Sequence, residues 1–179
     1  MFNSEILLGT GMGFKKTSDL IAISFSVTES AANTFTEEEV ALQLDVLNNE
    51  IFVVQAIDLN PESPDALAAT NTITSGSLCS TTQLAVSNLG NTNCLADAQL
   101  AIRAAGYVDG GGGGSRMAAE SYAGDIDYIG LIATNNFFVQ ISSANNGAPK
   151  TMSGRVWGYR AKADASTYAA LVQSEVLSA

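Results

Sequence analysis

Alternation with a period of two is the feature that most constrains how this chain folds. Between Asp19 and Thr28, Ile21, Ile23, Phe25 and Val27 fall on one side, and Ala22, Ser24, Ser26 and Thr28 on the other. A half-buried strand sorts its side chains in this way. Comparable runs recur. Ile126, Tyr128 and Ile129 to Ile132 predict a strand, Asn135-Asn136 a turn, and Phe137 to Ile141 the next strand. Asn145-Asn146-Gly147 turns the chain again, and Thr151 to Ala161 continues as a strand with Val156, Trp157 and Tyr159. Asparagine and glycine tolerate the left-handed backbone that tight turns need.

Other segments are less sharply patterned. Thr36 to Asn60 fits two readings. A Thr36/Glu39 capping box with Val40, Leu44, Leu47, Ile51 and Val54 suits a helix. Alternating Val40, Leu42, Leu44 and Val46, an Asn48-Asn49 turn and the run Ile51 to Leu59 suit a hairpin, which the β-branched residues favour. Asn60 to Asp65 is a loop by its prolines. Short strands are expected near Ala69–Thr74 and Ser77–Val86. A short helix capped by Asn93 is expected over Leu95 to Ala105, anchored by Leu95, Leu100 and Ile102. Asp164 caps a terminal helix with Tyr168, Leu171, Val172 and Val176 on one side.

Two segments are glycine-rich. Residues 1–17 hold Gly9, Gly11 and Gly13 and read as a flexible arm. Asp109 to Ser115 carries five consecutive glycines and reads as an exposed loop. The expected architecture is therefore mainly β. It is an antiparallel β-sandwich or jelly roll of about eight strands with one or two short helices, in a single domain over 18–179. The core is expected to hold Ile21, Ile23, Phe25, Leu42, Leu44, Val53, Ile129, Leu131, Phe138, Val139 and Trp157.

Composition bears mainly on chemistry. The 179 residues include no histidine, and 15% are charged. The commonest general base and metal ligand is thus missing. No Ser-x-x-Lys pattern replaces it. Gly9 to Gly13 has neither the dinucleotide spacing nor the Walker lysine. Asp125 and Asp127 would share a strand face, as a Ca²⁺ site or a glycosidase pair would need, but no third ligand accompanies them. No catalytic, cofactor or metal residue is assigned. Cys79 and Cys94 read as buried free thiols or as a disulfide, with free thiols the default. Residues 1–14 lack a basic stretch ahead of their apolar residues, so a cleaved signal peptide is not expected.

The net charge is −10, and it is segregated. Eleven acids and no base lie between Thr17 and Ile102, whereas Lys150, Arg155, Arg160 and Lys162 cluster near the C-terminus. The acidic block, with Glu37, Glu38 and Glu39 at its centre, repels a nucleic-acid backbone. The two blocks are either solvated faces or surfaces that meet between neighbouring copies. Arg155, Trp157 and Tyr159 would share one strand face. That pattern fits a stacking platform for bases or sugars, or a core tryptophan with snorkelling arginines.

The acidic Ser/Thr/Asn/Ala-rich strands, the arm from Phe2 to Thr17, the glycine loop and a short helix after Gly158-Tyr159-Arg160-Ala161-Lys162 resemble the small single jelly-roll capsid subunits of icosahedral viruses. The resemblance implies a virion structural protein, without cofactor or catalytic residues, that assembles with copies of itself into a shell. Candidate assembly residues are then Phe2, Ile6, Leu7, Leu8 and Phe14 in the arm, with Glu37, Glu38, Glu39, Lys150, Arg155, Arg160 and Lys162. The arm departs from a genome-binding pattern, since its only bases are Lys15 and Lys16. Other virion proteins or an inner membrane suit it better as partners than nucleic acid. Two alternatives remain open: a tailed-phage tail-tube or head-decoration subunit, and an extracellular surface or carbohydrate-binding β-sandwich module.

Overall fold

A computed structural model describes residues 13–106, 114–118, 121–122 and 126–178. Two antiparallel sheets pack face to face. One contains β1 (Phe14–Lys16), β2 (Ile21–Thr28), β4 (Glu50–Pro61), β8 (Ser121–Tyr122), β9 (Gly130–Ile132) and β11 (Thr151–Ala163). In it β1 and β2 pair with one side of β11, β4 with the other, and β8 and β9 with the far side of β4. The second sheet has the order β3 (Thr36–Ala41), β10 (Asn136–Ala144), β5 (Thr72–Cys79), β6 (Cys94–Arg103), β7 (Gly114–Ala118). With β9 taken as the sixth of eight main strands, the orders β2-β11-β4-β9 and β3-β10-β5-β6 are those of a jelly roll, the expected fold class. The chain changes sheets between β2 and β3, β3 and β4, β4 and β5, β7 and β8, β9 and β10, and β10 and β11.

The core between the sheets is apolar. It includes Val27, Leu42, Leu44, Phe52, Val54, Ile57, Leu59, Leu78, Phe137, Val139, Ile141, Met152 and Val156. Ile21, Ile23, Phe25 and Ile129 pack against it while partly buried. Helix α1 (Ala165–Leu177) covers one half of the first sheet's outer face, where Tyr168, Leu171 and Val172 meet Ile51, Val53, Tyr159 and Ala161. This second layer explains why Ile51, Phe52, Val53 and Val54 are all buried. Alternate residues of the run serve different cores. At Trp157/Gly158 the register with β4 shifts by one residue, so β4 carries a bulge at Gln55. The extra residue resets the alternation, and Ile57 and Leu59 again point inward.

Several expectations need correction. Residues 95–105 form no helix. Cys94–Arg103 is strand β6, whose inward residues include Ala96 and Ala98. The inward set is alanine, which leaves little hydrophobic period to read. Leu95 packs inward because it is the extra residue where β5 and β6 shift register. Asn93 caps nothing; its side chain donates to Thr81 Oγ1 at 2.9 Å. The two short strands expected over 69–86 are one, β5, and Ser80 onward is a loop. The turn at Asn48-Asn49 is present, with Asn49 left-handed at φ 55°. However, β3 and β4 belong to different sheets and are not a paired hairpin.

Trp157 is half-buried on the outer face and not in the core, and Phe138 is only partly buried. Val176 is exposed while its neighbour Glu175 is buried. Of the expected arm, Phe14 to Lys16 form β1 against Ala163 to Ala161, and Gly13 passes under the start of α1. A Cβ there would press on the side chains of Thr167 and Asp164, which would have to shift. Residues 1–12, with Phe2, Ile6, Leu7 and Leu8, lie outside the described residues, as do 109–113 of the glycine loop. Gly114 and Ser115 open β7.

Candidate functional site

The two ends of the sandwich have opposite character. At one end the β2–β3, β4–β5 and β10–β11 connections are bound together by buried polar groups. Glu29, 3% exposed, accepts from Ser143 N at 2.7 Å, Ser143 Oγ at 2.8 Å and Lys150 N at 2.9 Å. Asn33 Nδ2 donates to Asn146 O, and Asn146 N returns a bond to Asn33 Oδ1, both at 2.8 Å. Asp65 Oδ1 accepts from Lys150 Nζ at 2.7 Å, and its Oδ2 from Gly147 N at 2.7 Å. Those two bonds hold the Asp65 carboxyl below its usual range. A second carboxylate, Glu62, lies 3.7 Å from Lys150 Nζ.

The opposite end gathers the β3–β4 connection, the start of the β5–β6 loop, the β9–β10 turn and the end of α1. Leu47 in the β3–β4 connection is 92% exposed and Leu84 in the β5–β6 loop 98% exposed, and Val176 and Leu177 at the end of α1 are also open to solvent. An open apolar groove of about 260 Å³ runs between Thr82, Phe138 and Val176. Beneath it Glu175 accepts from Ala133 N at 2.9 Å, which pins the helix end to the sheet. Burial pushes the Glu175 carboxyl above its ordinary value, and its second oxygen has no partner among the described residues.

The outer face of the second sheet is covered by the β5–β6 loop, residues 80–93. Glu37 holds this loop, accepting from Thr82 Oγ1, from Gln83 N at 2.8 Å and from Gln140 Nε2 at 2.9 Å. Ser77 Oγ donates to Gln140 Oε1 at 2.7 Å and accepts from Ser87 N at 3.0 Å. Cys79 and Cys94 face each other in register here as free, buried thiols. Their mutual hydrogen bond and burial push the Cys94 thiol up.

The candidate assembly residues therefore separate. Lys150 is buried and paired with Asp65 and Glu62 of the same chain, which leaves little of it for an external contact. Glu37 is likewise internal. Arg160 donates through a terminal nitrogen to Leu42 O at 3.1 Å, inside the fold. Phe14 packs edge-on against Tyr128, with ring centres 6.0 Å apart. Glu38, Glu39, Arg155 and Lys162 remain exposed, though Glu39 accepts from Asn136 Nδ2. The basic cluster is thus split by burial. Sequence reasoning missed Glu29, which stood among the acids of the solvated block. Its only local signal is its place immediately after a strand.

Among the described residues no group of three or more His, Cys, Asp or Glu is placed to hold a metal ion, and no helix is long and apolar enough to cross a membrane. No family model and no curated protein matches the chain. A solved chain of Desmodium yellow mottle tymovirus is similar over 85% of this chain and 93% of that chain, at 12% identity and a TM-score of 0.33.

Proposed function

We propose that this chain is a virion structural protein, a capsid subunit that assembles with copies of itself into a closed shell. One observation carries the reading. A jelly roll that fills its own core still leaves Leu47, Leu84, Val176 and Leu177 in solvent, and Val176 borders an open apolar groove with Thr82 and Phe138. Exposed apolar side chains beside an open apolar groove suit a surface that another protein covers. The opposite end is polar and satisfied internally, so contact through the apolar end leaves its loops free.

Charge sets the conditions. Copies of a subunit with net charge −10 repel one another, and added salt screens that repulsion. Assembly is expected to strengthen as salt rises. The same charge disfavours direct genome contact, so other virion proteins or an inner membrane are the partners expected beside the shell.

Sedimentation of the purified chain over a range of concentration and salt tests this. Large particles are expected for the parent, and subunits for Leu47→Asp combined with Leu84→Asp. Leu67→Asp, in the β4–β5 connection, should still assemble. A parent that stays monomeric throughout would overturn the proposal. A doubly substituted protein that assembles normally would overturn the role of the apolar end.

A further inference from the structure

The outer face of the first sheet is covered by α1 over only half its extent. On the open half, three strands align their outward side chains in rows. Ser153 lies between Ser26 and Asn60, Arg155 between Ser24 and Asp58, and Trp157 between Ala22 and Ala56. The flanking alanines are too short to wall in the indole. A groove of about 410 Å³ runs along these rows, lined by Ser24, Asp58, Asn60, Ser153, Arg155 and Trp157. That volume falls within the roughly 300–1,000 Å³ of small-molecule sites.

The polar groups of this groove are largely unspent. Arg155 Nε donates to Ser24 Oγ at 3.0 Å, and its terminal nitrogens have no partner among the described residues. Asp58, Asn60, Ser153 and the Trp157 indole nitrogen make no side-chain hydrogen bond among those residues either. Asp58 and Arg155 are directly opposite across the strands, yet they form no ion pair. The guanidinium lies 5.8 Å from the Trp157 ring centre, at the outer limit of a cation–π contact. It lies over one face of the ring, at a distance that leaves the contact loose.

We propose that this shelf binds a neutral glycan, with one pyranose stacking its C–H face on Trp157. Its hydroxyls would donate to Asp58 and accept from Arg155, with Asn60 and Ser153 reaching the next sugar. An indole offers a flat apolar surface with a polar edge. A carboxylate and a guanidinium side by side suit a ligand that both donates and accepts. They do not suit a polyanion: the shelf's own charges cancel and the chain as a whole is strongly acidic. The site concerns attachment to a sugar-bearing surface. It stands whether the chain is a monomer or part of a shell, so its test is independent of the assembly test.

Trp157 is the chain's only tryptophan, so its emission reports on the shelf directly. The protein is screened on an array holding neutral, sialylated and sulfated glycans. The methyl pyranoside of the terminal sugar in the strongest neutral binders is then titrated against Trp157 fluorescence. Binding of neutral glycans with an emission shift is expected. Trp157→Ala on the array and Asp58→Asn in the titration should each weaken it at least about tenfold. Glu38→Gln should leave it unchanged. Circular dichroism of each variant confirms that the fold persists. Binding confined to sialylated or sulfated glycans, no binding at all, or full binding by a folded Trp157→Ala protein would overturn the proposal.

Discussion

Replacing Glu29 with alanine should be among the most damaging single changes outside the apolar core. The carboxylate is buried and accepts three hydrogen bonds, two of them from the backbone N–H groups of Ser143 and Lys150. The third donor, the Ser143 hydroxyl, can turn to Asn33 Oδ1, already 3.4 Å away. The two amides cannot turn. Each buried donor left unpaired costs about 1–3 kcal/mol, so the pair costs about 2–6 kcal/mol. Glu29→Gln keeps one acceptor oxygen but presents an amide donor to the other N–H. Its loss should be about half as large, about 1–3 kcal/mol. Glu38, exposed and without a side-chain partner among the described residues, provides the control, and Glu38→Ala should stay within about 0.5 kcal/mol of the parent. Urea unfolding followed by Trp157 emission and far-ultraviolet circular dichroism reads all three. It should be run at one fixed, low protein concentration, so that self-association, which would stabilise by mass action, does not enter the comparison. The midpoint should fall without a change in slope. An unchanged Glu29→Ala protein, or a Glu29→Gln protein less stable than Glu29→Ala, would refute the reasoning.

Asp65→Asn should reduce the loss of stability in acid. The native carboxyl is held below its unfolded value, so its contribution is complete above the ordinary carboxylate range and disappears as pH falls through the lowered value. Acid titration of the unfolding midpoint reads this difference. Glu175 has the opposite sign, since its raised value means that stability falls as pH rises from the ordinary carboxylate range through the raised one. Glu175→Gln should therefore be relatively more stable at neutral pH than in acid, as thermal unfolding at several pH values will show. Gly76→Ala would place a Cβ 2.1 Å from Met152 Sδ, and overpacking of this kind costs about 1–3 kcal/mol. Combining it with Met152→Ala should cost less than the sum of the two single changes, a coupling that a double-mutant cycle measures.

Strands with a strong period were legible in the sequence. β2, β10 and β11 stand close to where alternation placed them, and Asp164 caps α1 by accepting from Thr167 N at 2.7 Å. β6 was misread because alanines line its inward face, and small residues carry little hydrophobic signal in either period. The pairing of β3 and β4 was misread for another reason. A turn such as Asn48-Asn49 fixes local direction, but sheet membership depends on long-range partners. The sequence also could not tell a charge in solvent from one inside a network. Lys150 and Glu37 looked like surface groups, and Glu29 looked like one acid among many. Their partners lie on loops and strands brought together from separate parts of the chain. Trp157 looked like a core residue because its neighbours are apolar. Its strand alternation, with Val156 inward, places it on the open shelf.

Cryo-electron microscopy of the purified chain at high concentration and raised salt tests the central claim most directly. Closed shells of uniform size are expected. Their subunits would meet through Leu47, Leu84 and the end of α1, with the loops of the polar end outside that contact. Open tubes would contradict a shell and favour a tail-tube subunit. A field of isolated monomers would contradict the assembling subunit altogether.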